Sequence, residues 1–271
     1  MPFQQPPLAA AERNFVEAWW HMATTDPGTE SFEGDGIRAF ITGDESPMMN
    51  GVLETRILGS NAWIDSVIER TVTRFQARGV PLLWWHLPSA EPLDLPDRLA
   101  ARGFVHVENL PVMTMDLADL PPQPPIPGLA IERVRDSAGL ETFLAIAVPV
   151  LEAPKSFEEA ARQVFTADGF GDDAVGRHYV GYLAGRPVAA SSLIFEANIA
   201  GIFNVASVEG VRGRGIGSAL TIAPLHEAKA LGYRMAALQS SPIGHGVYRR
   251  IGFRDVGAFG VHVLSPSPEG S

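Results

Sequence analysis

The 271-residue sequence has no cysteine, which excludes disulfides, thiolate zinc sites and cysteine nucleophiles at once. It fits a cytoplasmic protein, where thiol pairing plays no part in stability. No apolar run approaches the roughly 18 residues that span a bilayer. The opening MPFQQPPLAA lacks the basic and apolar stretches of a signal peptide, so no membrane partner is expected. Lysine is missing from residues 1–127, which carry 8 Arg against 17 Asp+Glu; residues 128–271 carry 13 Lys+Arg against 14 Asp+Glu, and the whole chain has a formal charge of -10. A half this acidic argues against nucleic-acid binding, because phosphate contacts need clustered cations. It would attract a cationic small molecule, or simply keep the surface soluble. The seven histidines (His21, His86, His106, His178, His226, His245, His262) show no spacing such as His-x-x-x-His, so no metal site is expected. What is abundant is apolar material: 46% hydrophobic residues supply a sizeable core and argue against global disorder.

The chain divides most clearly at Pro121-Pro122-Gln123-Pro124-Pro125-Ile126-Pro127-Gly128, where five prolines in seven residues block helix and central strand and favour a stiff linker. The expected domains are residues 1–120, a linker over 121–128, residues 129–264 and a frayed tail over 265–271. After the linker the pattern predicts a strand at 129–135 and helices at 137–151 and 156–170, each opened by a serine cap. Strands follow at 179–183, 188–195 and 199–208, the first two joined by the Ala184-Gly185-Arg186-Pro187 turn. A helix over about 217–231 comes next, with Pro224 expected to kink it or break a hydrogen bond. A strand at 234–239, a short helix at 245–251 and one or two strands over 253–264 close the chain.

The first half partly repeats this order. A strand at 53–58 precedes an amphipathic helix carried by Ile64, Val67, Ile68, Val72 and Phe75. A strand at 81–87 follows, and Arg98-Leu99-Ala100-Ala101-Arg102-Gly103-Phe104 parallels Tyr248-Arg249-Arg250-Ile251-Gly252-Phe253. Two α/β units from a duplication explain the echo. Trp84-Trp85 reads as a buried strand with its rings on opposite faces, and Trp19-Trp20 as part of a short amphipathic helix.

The chemistry concentrates where the strand Phe203-Asn204-Val205-Ala206-Ser207-Val208 runs into Gly213, Gly215 and Gly217 and then a helix. Glycines let a ligand approach the backbone, and successive N–H groups at a helix N-terminus suit a pyrophosphate. A Walker A loop is excluded, since no Gly-Lys-Ser/Thr follows. A Rossmann fingerprint fails because position 218 is serine and the next strand ends in Gln239-Ser240, without an acid for a ribose. Arg212-x-x-Gly215-x-Gly217 fits the third known pattern, Arg/Gln-x-x-Gly-x-Gly/Ala.

Together with the strand before it, the helix, the strand Met235-Ala236-Ala237-Leu238-Gln239 and the ending Val247-Tyr248-Arg249-Arg250-Ile251-Gly252-Phe253, this loop resembles the GCN5-related N-acetyltransferases, the GNAT superfamily. The likeness runs over roughly residues 129–264. It implies an α/β fold with a mixed, mostly antiparallel twisted sheet flanked by helices, and a tandem arrangement in which the N-terminal unit is a partial, degenerate copy. It also implies acetyl-CoA as acyl donor and no metal. Backbone groups of Gly213, Arg214, Gly215, Ile216, Gly217 and Ser218 would hold the pyrophosphate, with Arg212 adding charge. Val205, Ala206 and Ser207 would pair with the pantetheine as an added strand, and a backbone N–H there would polarise the thioester carbonyl. Tyr248 would protonate the departing thiolate.

Two departures from the family pattern stand out. Ser241 occupies the position of an Asn that contacts the cofactor in many relatives. Ala236 or Gln239, neither a base, occupies the place of a glutamate found in some. Water, Glu209 or His245 would then take the amine's proton, with His178 and Glu196 as further candidates. The resemblance thus implies an N-acyltransferase acting on an amine-bearing small molecule. The competing reading is an acyl-CoA-binding module without turnover. A homodimer is compatible with either.

Overall fold

The computed structural model describes residues 6–266. Helix α1 (Pro7–Thr25) leads into strands β1 (Glu30–Gly34), β2 (Ile37–Ile41) and β3 (Asn50–Thr55), then α2 (Asn61–Gln76), β4 (Leu82–His86), α3 (Leu95–Ala100) and β5 (Val105–Asp116). The second half contains β6 (Leu129–Arg133), α4 (Ser137–Val150), α5 (Lys155–Asp168), β7 (Gly176–Leu183), β8 (Arg186–Glu196) and β9 (Ile199–Ser207), followed by α6 (Ile216–Ala230), β10 (Met235–Gln239), α7 (Pro242–Ile251) and β11 (Arg254–Leu264). The chain folds into two units, each discontinuous in sequence. One combines the residues up to Ala18 with Pro111–Val256, and the other combines Trp19–Leu110 with the stretch from Gly257.

In the larger unit the strand order is β5-β10-β9-β8-β7-β6, antiparallel throughout except for β9 and β10, which run parallel. Its core joins Leu220 and Leu225 of α6 to Leu193, Ile202 and Leu238 of the sheet. Glu227 fastens α6 to β6 and β7: its carboxylate accepts from Tyr179 Oη at 2.6 Å and from Arg133 Nη1 at 3.2 Å, and also pairs with Arg177. Helix α6 continues through Pro224. The missing amide would have bonded Leu220 O, and the Ser191 hydroxyl donates to that carbonyl instead, at 2.7 Å. The proline segment belongs to this unit and is tied to α6, with Gln123 Nε2 donating to Ala219 O at 3.3 Å and His226 Nε2 lying 3.0 Å from Pro121 O.

In the smaller unit the order is β1-β2-β3-β4-β11, with β3 and β4 parallel. The apolar stripe of α2 is buried as its spacing requires, and packs with Trp84, Leu99 and Phe104. Trp84 and Trp85 are both buried, and Trp84 Nε1 donates to Thr55 Oγ1 at 2.8 Å.

Several expectations need correction. The serines do not cap α4 and α5. Asp136 caps α4 by accepting from Gly139 N at 2.8 Å, α5 follows Pro154, and Ser156 Oγ is buried without a hydrogen-bond partner. A carboxylate outcompetes a hydroxyl one residue later because it carries full charge at the positive end of the helix. Helix α7 starts at Pro242, three residues before the predicted start, with Ser241 as its cap. Strand β3 lies at 50–55 rather than 53–58, and the helix bearing Trp19-Trp20 is 19 residues long. The β1–β2 hairpin has no counterpart among the expected elements. Its Asp35-Gly36 turn is a standard hairpin signal, and a Cβ at Gly36 would fall 2.2 Å from Arg56 O. Of the expected tail, residues 267–271 lie outside the described residues.

Candidate functional site

The site grows from a divergence of two strands. Parallel β9 and β10 pair only at Ala200 with Ala236 and at Gly201 with Ala237. Beyond that point Val205, Ala206 and Ser207 have β8 on one side, through Ala190–Ala206 and Ala189–Ser207, and no ladder partner from β10 on the other. An extended ligand can add to this open edge through main-chain hydrogen bonds. Just before it, the β8–β9 register shifts between Ala190 and Ser192, and Asn204 takes φ 53°, so β9 carries a bulge that re-aims the strand end.

The strand end leads directly to the glycine loop. Gly213 and Gly215 hold φ of 78° and 79°, and Gly215 occupies the N-cap of α6. With no cap side chain, the first amides of α6 are left to an outside acceptor. A Cβ at Gly217 would stand 3.7 Å from Ser207 Oγ, so strand end and helix start are neighbours across open space. Arg212 and Arg214 are exposed, and Arg212 Nε donates to Ser207 O at 3.4 Å. Ile216 is buried and Ser218 half-buried. A run of backbone donors, flanked by two guanidinium groups and open to solvent, is chemically suited to a pyrophosphate.

Tyr248 lies on α7 in the same core cluster as Ile216 and Leu238, edge-on to Phe253 at 6.0 Å. Burial pushes its phenol up to about 12, so it keeps its proton at neutral pH. Gly244, one turn earlier, leaves room for the ring: a Cβ there would meet Tyr248 Cε2 at 2.8 Å. Ser241 caps α7, its hydroxyl accepting from Gly244 N at 3.2 Å.

The candidate bases fall in different settings. His178 is buried between Phe143 and Phe165 and is held neutral, its imidazole pushed down to about 3 by burial. Its Nδ1 lies 2.9 Å from Ser192 Oγ, which also accepts from Asn204 Nδ2 at 3.2 Å. His178 therefore steadies the bulge through Ser192. Glu209 is exposed. His245 Nε2 is 2.7 Å from Asp255 Oδ1, and that hydrogen bond holds the Asp255 carboxyl below its ordinary range. Asn204 was not among the expected site residues, although Asn inside a strand pattern is a signal for positive φ.

The sequence of residues 140–253 matches the model of the acetyltransferase (GNAT) family. These residues form a GNAT-family domain. Over nearly the whole chain the fold is similar to the GCN5-related N-acetyltransferase from Kribbella flavida, with a TM-score of 0.72, 20% identity, and 95% of this chain and 96% of that one covered. A GCN5-related N-acetyltransferase from Sphaerobacter thermophilus gives 0.67 at 15% identity, covering 96% and 91%. The tandem GNAT protein from the clavulanic acid biosynthesis pathway gives 0.64 at 14% identity, covering 97% and 98%. No curated protein matches the sequence significantly.

The GNAT fold explains the repetition in the smaller unit, whose β3 and β4 also pair at only two positions, Gly51–Leu83 and Val52–Trp84. There, however, Ser60 caps α2 by accepting from Trp63 N at 3.3 Å, and the chain has Leu99 where the GNAT domain has Tyr248. Among the described residues no group of three or more His, Asp or Glu side chains is placed to hold a metal ion, and no helix is long and apolar enough to cross a membrane.

Proposed function

We propose that this protein transfers an acetyl group from acetyl-CoA to a primary amine on a small, cationic molecule. The carrying observation is the open edge of β9 at Val205–Ser207, which runs into the uncapped, glycine-lined N-terminus of α6. These residues fit acyl-CoA: the strand edge matches an amide-bearing pantetheine, and the backbone donors from Gly213 to Ser218 match a pyrophosphate. Acetyl-CoA would supply the activated thioester. A backbone N–H at the end of β9 polarises the carbonyl as the amine attacks. Tyr248, protonated at neutral pH, donates its proton to the leaving sulfur. Arg212 and Arg214 add charge beside the phosphates, and water or Glu209 takes the ammonium proton. The larger unit does this work in our reading, and the smaller unit supplies the degenerate copy.

The test is release of free CoA from acetyl-CoA with a panel of primary amines, against a control without amine. Amine-dependent release is expected. Thermal stabilisation by acetyl-CoA without release on any amine would instead favour a binding module.

A further inference from the structure

We propose that the smaller unit holds a second binding site, a pocket for a primary ammonium ligand built from His86, His106, His262 and the Asp97 carboxylate. These residues line a cavity of 390 Å³, within the range of small-molecule pockets. Three strands deliver the imidazoles: His86 ends β4, His106 lies on β5 and His262 on β11. The His262 ring sits edge-on to both others, with centroids 5.1 Å from His106 and 6.1 Å from His86. Gly260, paired with His86 across the ladder, leaves them room: a Cβ there would stand 3.3 Å from His86 Cβ and 3.4 Å from His262 Nε2.

Apart from the imidazoles, the polar groups lining this cavity are the Asp97 carboxylate and the Asn109 amide. Burial first, then the neighbouring imidazoles, lower His86 and push His262 down to about 4, so both are neutral at pH 7. His106 Nε2 donates to Asn109 Oδ1 at 3.1 Å. The neutral imidazoles of His86 and His262 each keep one acceptor nitrogen, Asp97 contributes a carboxylate from α3, and no Lys or Arg lines the cavity. The unit as a whole has 7 Arg against 14 Asp+Glu. An anion would face Asp97 and require protons on the imidazoles. An alcohol would leave the carboxylate without a counter-charge. An ammonium group brings three donors and the matching charge, and Phe104 offers an apolar wall for its carbon chain. All these groups belong to one unit, so this site and the acyl-transfer reading stand or fall separately.

The test is a titration of the full-length protein at pH 7.5 with n-butylammonium, butyrate and butanol, followed by the NMR signals of the histidine ring protons. Saturable shifts of the His86, His106 and His262 signals with n-butylammonium alone are expected. Asp97→Asn, a change at an exposed position, should weaken binding about fivefold, and Gly260→Ala should reduce it by crowding two of the rings. Absence of saturable shifts, or equal affinity in Asp97→Asn, would overturn the proposal. Butyrate binding that tightens on acidification to pH 5.5 would replace it with an anion site.

Discussion

Tyr248 combines a buried ring with a hydroxyl that has no protein partner among the described residues. Removing that hydroxyl therefore breaks no internal hydrogen bond. Tyr248→Phe is expected to lower kcat about 10²-fold while moving unfolding stability by less than about 0.5 kcal/mol. Turnover kinetics and a denaturant melt on the same preparation check both halves. The pH dependence follows from the raised phenol. Its acid form persists until pH approaches about 12, so the rate should not decline through loss of this proton between pH 7 and 10. A decline in that range that vanishes in Tyr248→Phe would mean the hydroxyl ionises far lower than its burial allows. The motif around Tyr248 was legible in sequence because its parts are contiguous. The meeting of His86, His106 and His262 was not, since each comes from a different strand and their spacing along the chain carries no pattern.

Helix α6 and its loop make a prediction with two opposite signs. A Cβ at Gly217 meets nothing closer than 3.7 Å, and this residue has ordinary negative-φ geometry, so Gly217→Ala should fold well. Alanine in a helix gains about 0.5–1 kcal/mol over glycine, yet its methyl group obstructs the close approach of a phosphate. A small rise in Tm with at least about a tenfold rise in Kd for acetyl-CoA is expected, measured by thermal melts and calorimetric titration. If affinity is unchanged, the pyrophosphate does not lie on this turn. The helices and strands of the second half were largely legible because apolar spacing and glycine stops mark them. Their starts were less so: Asp136 and Ser137 are both good cap residues in sequence, and only the three-dimensional path decides between them. The bulge at Asn204 left only one local trace, an Asn inside a strand pattern, because the register shift itself arises from pairing with β8.

The whole chain is less divisible than its proline-rich segment suggests. Strand β10 pairs from Met235–Asp116 to Gln239–Val112 along β5, which lies before the prolines, while residues from Gly257 onward belong to the smaller unit. A fragment of residues 129–264 would lose a neighbour of β10 and carry an unpaired half of β11. It is expected to show no cooperative unfolding transition, and a sharp melt near the Tm of the full chain would contradict this. Duplication in sequence reveals two similar units but not this exchange of strands, because apolar alternation tells a strand to pair without naming its partner. The pairing of β4 with Gly260–Leu264 also sets a schedule for synthesis. About 150 residues separate Leu110 from Leu264, and at about 5–20 residues per second the ribosome takes about 8–30 s to supply them. Through that interval the edge of β4 at Leu82–His86 waits without its neighbouring strand, an open edge that invites mispairing.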